Sequence, residues 1–259
     1  MKNKIILLVT ILLSGQLAFT QEAEKWNTLK STHFIIYYKN APQEFLDKLT
    51  KKAEEDYDKI ADALGFRRYD FWLWDNRAKI YIYDDANAYQ LATGQPIWSA
   101  GAAIPKEKII HAFLNEKGVF DTVLLHEMGH IIFREFVGFD NMSIPLWLDE
   151  GVASYQESGR RQIMEILIKQ AIKNNSLMDL EKLSSIDIGI LQDASSINLF
   201  YAESLSVIDY LIKEFGSDNF VLFCQGLRDK KDLEGAIRYA YPFSDMKELN
   251  LAWQKYLKK

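Results

Sequence analysis

The sequence predicts an α+β domain in which a small, mostly antiparallel N-terminal sheet packs on a C-terminal helical bundle. Three observations carry that prediction. Alternating, β-branched and aromatic segments are confined to the first half of the chain. Nearly everything after residue 116 has a helical period. No Pro- or Gly-rich linker divides the 259 residues, and no internal repeat is visible. Strands first and helices after are the arrangement of an α+β fold with one core.

The first 20 residues stand apart. "MKNKIILLVTILLSGQLAFTQ" has basic Lys2 and Lys4, an apolar run from Ile5 to Leu13, and small residues at Ala18 and Thr20 before Gln21. This is the pattern of a cleavable signal peptide, too short for a comfortable membrane span, with an uncleaved N-terminal anchor as the other reading. The expectation is a secreted or periplasmic protein with one domain over 21–259, strand-rich over 21–115 and helical over 116–259. No cysteine near Gln21 offers a lipid anchor, and no later apolar run is long enough to hold the mature chain in a bilayer.

Each element has a local reason. "HFIIYYK" (33–39) and "AKIYIYD" (78–84) read as strands. Between them Pro42 opens a helix that Gly65 ends. A short helix follows over 86–92. "SAGAAI" (99–104) and "KIIHAFL" (108–114), parted by Pro105, read as a hairpin. About four strands therefore precede residue 116. Helices are expected near 118–137, 145–158, 160–174, 199–215, 217–228, 231–240 and 244–257, with Trp253 packing the last one down. Cys224, the single cysteine, lies in the apolar pattern "NFVLFCQGL" and reads as a buried small hydrophobe. No disulfide within the chain is possible, so stability rests on the core. The net charge of −5 and the scattered Lys and Arg give no footprint for nucleic acid or an anionic membrane.

The chemistry is concentrated in "VLLHEMGHII", residues 123–132. On a helix, positions i and i+4 share a face, so His126 and His130 can point at one metal ion. Glu127 is turned about 100° away, close enough to hold a water without binding the metal. This is the H-E-x-x-H pattern of metalloproteases, here inside an apolar helix that keeps the site dry. A zinc site open for catalysis needs three protein ligands. His33 and His111 sit in strands with no partner pattern and read as structural. "IPLWLDEGVASY" (144–155) offers two adjacent acids, of which only one can face the metal easily. Glu150 is preferred, since it shares a face with Trp147 and Ser154 and Gly151 beside it permits close backbone approach. Asp149 would then support the site or face solvent.

His126-Glu127-Met128-Gly129-His130, followed 20 positions later by Glu150 in "WLDEG", resembles the gluzincin zinc metallopeptidases. More specifically it resembles the small peptidase MA-like domains, which are related to the catalytic domain of the zinc aminopeptidases. The resemblance implies a thermolysin-like zincin core, a Zn2+ cofactor held by His126, His130 and Glu150, Glu127 as general base, and peptide or protein substrates. "IIFREFVGFD" after the motif has no third His, which excludes the metzincin pattern. The aminopeptidases carry Y-x-K-G downstream, with a tyrosine that stabilises the oxyanion. "FYAES" (200–204) is similar and places Tyr201 in that role, with Glu203 and Ser204 where the family has Lys and Gly. Their amine-recognising G-x-M-E-N has no counterpart in "PIWSAGAAIPKE", which favours an endopeptidase over an aminopeptidase. Two other classes fit the motif: a non-catalytic zinc-holding scaffold, against which Glu127 argues, and a zinc amidase acting on cell-wall peptides. Substrate and oligomeric state are not encoded in any pattern.

Overall fold

The computed structural model describes residues 26–67, 69, 72–95, 99–157, 159–187 and 193–259. The signal-peptide expectation therefore lies outside the described residues. The five strands are β1 (Asn27–Lys30), β2 (Phe34–Tyr38), β3 (Ala78–Tyr83), β4 (Gly101–Ile104) and β5 (Ile109–Phe113). Their order across one sheet is β1-β2-β3-β5-β4.

The α+β class is as expected, but the sheet is mixed rather than mostly antiparallel. β1/β2 and β4/β5 are antiparallel, whereas β2/β3 and β3/β5 are parallel. The reason lies in the connections. Helix α1 (Gln43–Ala63) links β2 to β3, and helix α2 (Ala86–Thr93) lies between β3 and the β4–β5 hairpin. Parallel pairing needs such a crossover, while the tight turn at Pro105–Glu107 can only close an antiparallel pair. β1 was not expected. Its four residues are largely exposed and do not alternate, so no period-2 signal marks them.

Register separates the two faces of the sheet. Ile36, Ile80, Ile110 and Ala103 form one row across it, and the three isoleucines are fully buried. The next row is Tyr37, Tyr81, His111 and Ala102, on the other face. His111 is held there by the Tyr83 hydroxyl at 3.1 Å and by stacking on Tyr81. His33 is bonded to Glu54 and stacked on Tyr57. Both spare histidines are structural, as expected.

The helical side begins at α3 (Glu116–Gly118), capped by Asn115, and runs through one π-helical turn, Val119–Val123, into α4 (Leu124–Val137). Then come α5 (Leu146–Gln156), α6 (Arg160–Lys173), α7 (Leu180–Ser185), α8 (Ala194–Lys230), α9 (Leu233–Ala240) and α10 (Met246–Leu257). The two helices expected over 199–228 are both present within α8, where they meet at Gly216, whose φ of 83° and ψ of 162° are not helical. α7 is too short to show a period. Cys224 is buried, and burial pushes its thiol well above the usual range. Trp253 is fully buried and donates to the Ser206 hydroxyl at 3.1 Å, which anchors α10. Among the described residues no helix is long and apolar enough to cross a membrane.

Two glycines set the spacing that the site needs. A Cβ at Gly129 would come within 2.9 Å of Ala153 Cα, so α4 and α5 touch backbone to backbone there. A Cβ at Gly151 would meet the Ser204 carbonyl oxygen at 2.5 Å, so α5 and α8 do the same. α5 is thus pressed between the H-E-x-x-H helix and the helix that carries Tyr201.

Candidate metal centre

His126 and His130 lie one turn apart on α4, and the α4/α5 contact brings Glu150 opposite them. His126 Nε2 and His130 Nε2 are 3.2 Å apart. Glu150 Oε2 lies 3.4 Å from the first and 3.5 Å from the second. A tetrahedral zinc with bonds of about 2.0–2.1 Å separates its ligand atoms by about 3.3–3.4 Å. The three atoms therefore already have the spacing of three corners of a zinc tetrahedron. Glu150 Oε2 is buried and makes no hydrogen bond. A buried, unsatisfied carboxylate oxygen is costly unless a cation completes it. The set fits zinc in both geometry and ligand type. Among the described residues no other group of His, Cys, Asp and Glu side chains converges in this way.

A second layer orients the ligands. His126 Nδ1 donates to Glu157 Oε1 at 2.9 Å, and His130 Nδ1 donates to Asp149 Oδ1 at 3.0 Å. A carboxylate can only accept, so both Nδ1 atoms carry a proton and both Nε2 atoms, the ones that would bind the metal, face the shared point. Arg134 Nε donates to Asp149 Oδ2 at 2.7 Å and holds that carboxylate in place. Asp149 therefore supports the site, one of the two positions the sequence allowed it. Glu157 and Arg134 were missed. A signal for Glu157 exists: it follows Glu150 by seven positions, about two helical turns, and so returns to the same face.

The electrostatics follow from these contacts. Burial would lower His126, but Glu150 and Glu157 outweigh it and hold the imidazole at about 9. Burial would likewise lower His130, but Asp149 and Glu150 raise it well above its usual range. Burial would raise Glu150, yet His126 and His130 pull it down to about 2. Without metal, the site keeps its charge by protonating its histidines.

Glu127 is raised by burial and by the nearby Glu150 charge, against His126 and His130. The backbone of Ala103, on the edge strand β4, also acts on it in favour of the ionised form. Tyr201 sits near the start of α8. Burial, then the charges of Glu150, Glu127 and Glu157, push its phenol up to about 12, while Arg160 opposes them. The phenol is thus within electrostatic reach of the triad.

A sequence model described as the Peptidase MA superfamily matches residues 74–259. The chain belongs to the Peptidase MA superfamily. The match spans every helix from α2 onward and all residues of the metal centre. Among solved structures, native yeast LTA4 hydrolase is similar with a TM-score of 0.53 and 14% identity, over 90% of this chain and 39% of that one. The same yeast enzyme in complex with bestatin gives a TM-score of 0.44 and 12% identity, over 90% and 37%. This chain thus spans about two fifths of the length of those structures. At such identities the likeness concerns the fold alone. No curated protein matches the chain.

Proposed function

We propose that this chain is a secreted zinc-dependent endopeptidase, with His126, His130 and Glu150 as ligands, Glu127 as general base and Tyr201 as oxyanion donor. The observation that carries the reading is the triangle of Nε2, Nε2 and Oε2 at zinc spacing with Glu127 beside it. When bound, zinc supplies Lewis-acid polarisation of a carbonyl and acidifies water. Glu127 takes the proton of the attacking water and delivers it to the leaving amine. Burial raises its pKa above the ordinary carboxylate value, which favours a group that must hold a proton before returning it. Tyr201, with its phenol near 12, stays protonated and can donate to the developing oxyanion throughout the neutral range.

β4 lies at the edge of the sheet beside α4. Its free side can take an extended peptide as an added strand. "GAAI" carries no acidic side chain to bind a free amine, which supports cleavage at internal bonds. Secretion is read from the basic and apolar pattern of residues 1–20.

The test is a digest of a mixed peptide library by the zinc-loaded protein, with and without chelator, beside the Glu127→Gln variant. We expect internal, chelator-sensitive cuts, and a loss of about 10²- to 10⁴-fold in the variant with zinc content unchanged. Full activity of Glu127→Gln would overturn the mechanism. Release of N-terminal residues only would make the protein an aminopeptidase. No cleavage with stoichiometric zinc would favour a scaffold.

A further inference from the structure

Arg160 is the first residue of α6 and sits between two parts of the site. Its Nε lies 3.6 Å from Glu157 Oε1, the same oxygen that accepts from His126 Nδ1. Its guanidinium carbon lies 5.6 Å from the centre of the Tyr201 ring, within the range of a cation–π contact. A continuous path therefore runs from the metal ligand His126 through Glu157 and Arg160 to Tyr201. Neighbouring Arg161 is used differently. It donates to Asp209 at 2.9 Å and covers the Tyr155 ring, away from the triad.

The Tyr201 hydroxyl makes no hydrogen bond among the described residues, which leaves it free to meet a substrate. Its ring rests edge-on against Phe200, with centroids 5.7 Å apart, and Arg160 is the charged group on it. The charged groups acting on the phenol come from three helices and the end of one of them: Glu127 on α4, Glu150 on α5, Glu157 just beyond α5, and Arg160 on α6. Arg160 is the cation of that group. A planar guanidinium can lie on an aromatic face while keeping an ion pair at its Nε, which a lysine ammonium does less well.

We propose that Arg160 is a positioning residue for Tyr201: braced by Glu157, it holds the phenol ring toward the metal triad and so couples the ligand layer to the oxyanion donor. The proposal rests on the reading of Tyr201 as that donor. It differs from a fold-stabilising role because its effect on turnover must pass through Tyr201.

The test is a double-mutant cycle on the zinc-loaded full chain with Arg160→Gln, Tyr201→Phe and the pair. Loss of a contact of this type lowers kcat about two- to fivefold. We expect that loss in Arg160→Gln with KM little changed, no further loss when it is added to Tyr201→Phe, and partial recovery in Arg160→Lys. A readout independent of turnover uses fluorotyrosine at position 201 in the metal-free protein. Its fluorine resonance should move on Arg160→Gln and move back part-way on Arg160→Lys. Losses that simply multiply in the pair, or a resonance that does not move, would overturn the proposal and leave the Tyr201 reading standing. Undiminished kcat in Tyr201→Phe would overturn both.

Discussion

The site has two walls, and they are built differently. On the α4–α5 wall both histidines are locked by carboxylates, one carboxylate is locked by Arg134, and the helices meet backbone to backbone at Gly129. On the α8 wall Tyr201 has a free hydroxyl and is touched by one cation, and the neighbouring Glu203 is buried with one oxygen unpaired. The ligand wall is preorganised for an ion whose geometry does not vary. On the proposed reading, the donor wall needs only to offer a hydroxyl where charge develops.

If that contrast is right, the two walls fail differently. Tyr201→Phe should lower kcat by about 10²-fold or somewhat more, the usual cost of one oxyanion donor, with zinc content unchanged. Loss of zinc in that variant would break the division between the walls. Asp149→Asn and Glu157→Gln should do the reverse and weaken zinc binding about 10- to 100-fold, read by competition with a chromophoric chelator. The same affinity should tighten from pH 6 to pH 9. In the metal-free protein His126 holds its proton up to about 9, and that proton must leave before zinc can bind. Flat affinity over that range would contradict the ligand assignment.

The seam between the walls is sharper still. Gly151→Ala puts a Cβ against the Ser204 carbonyl, a backbone atom that cannot swing aside. We expect a cost of about 1–3 kcal/mol, seen as a lowered Tm, because α5 must shift away from α8. If Gly151→Ala melts like the parent, the close approach does not set the spacing of Glu150.

The ligand wall was legible in the sequence because its logic is periodic. His126 and His130 follow from the i, i+4 rule, and Glu150 from one helix start and one glycine. Asp149 could be placed only as supporting or solvated, since its partner Arg134 lies 15 residues away on another helix. The donor wall was less legible because it depends on how α6 meets α8. Nothing in "GRRQI" distinguishes Arg160, which reaches Tyr201, from Arg161, which does not. In the sheet, strand positions could be read from alternation, but pairing direction could not. It depends on the crossover helices between strands rather than on the strands themselves.

Glu203 gives the finest test of the donor wall. It stands where the Y-x-K-G pattern of the zinc aminopeptidases has lysine, and it is fully buried. One oxygen accepts from the Met178 N–H at 3.0 Å and the other has no partner. Burial therefore raises its pKa to about 8, against the Met178 amide and Lys182. The folded state binds this proton more tightly than the unfolded chain. Its stabilising contribution is full below the unfolded value near 4.5, declines as pH rises, and is gone above about 8. Glu203→Gln keeps an acceptor for Met178 and cannot ionise. The variant and the parent should melt together at pH 5. At pH 9 the metal-free variant should melt higher by on the order of 10 °C. Comparing the two metal-free proteins cancels the histidine titrations, which are common to both. Parallel melting curves at every pH would mean that water or motion already relieves Glu203, and that the wall beside Tyr201 is looser than its packing implies.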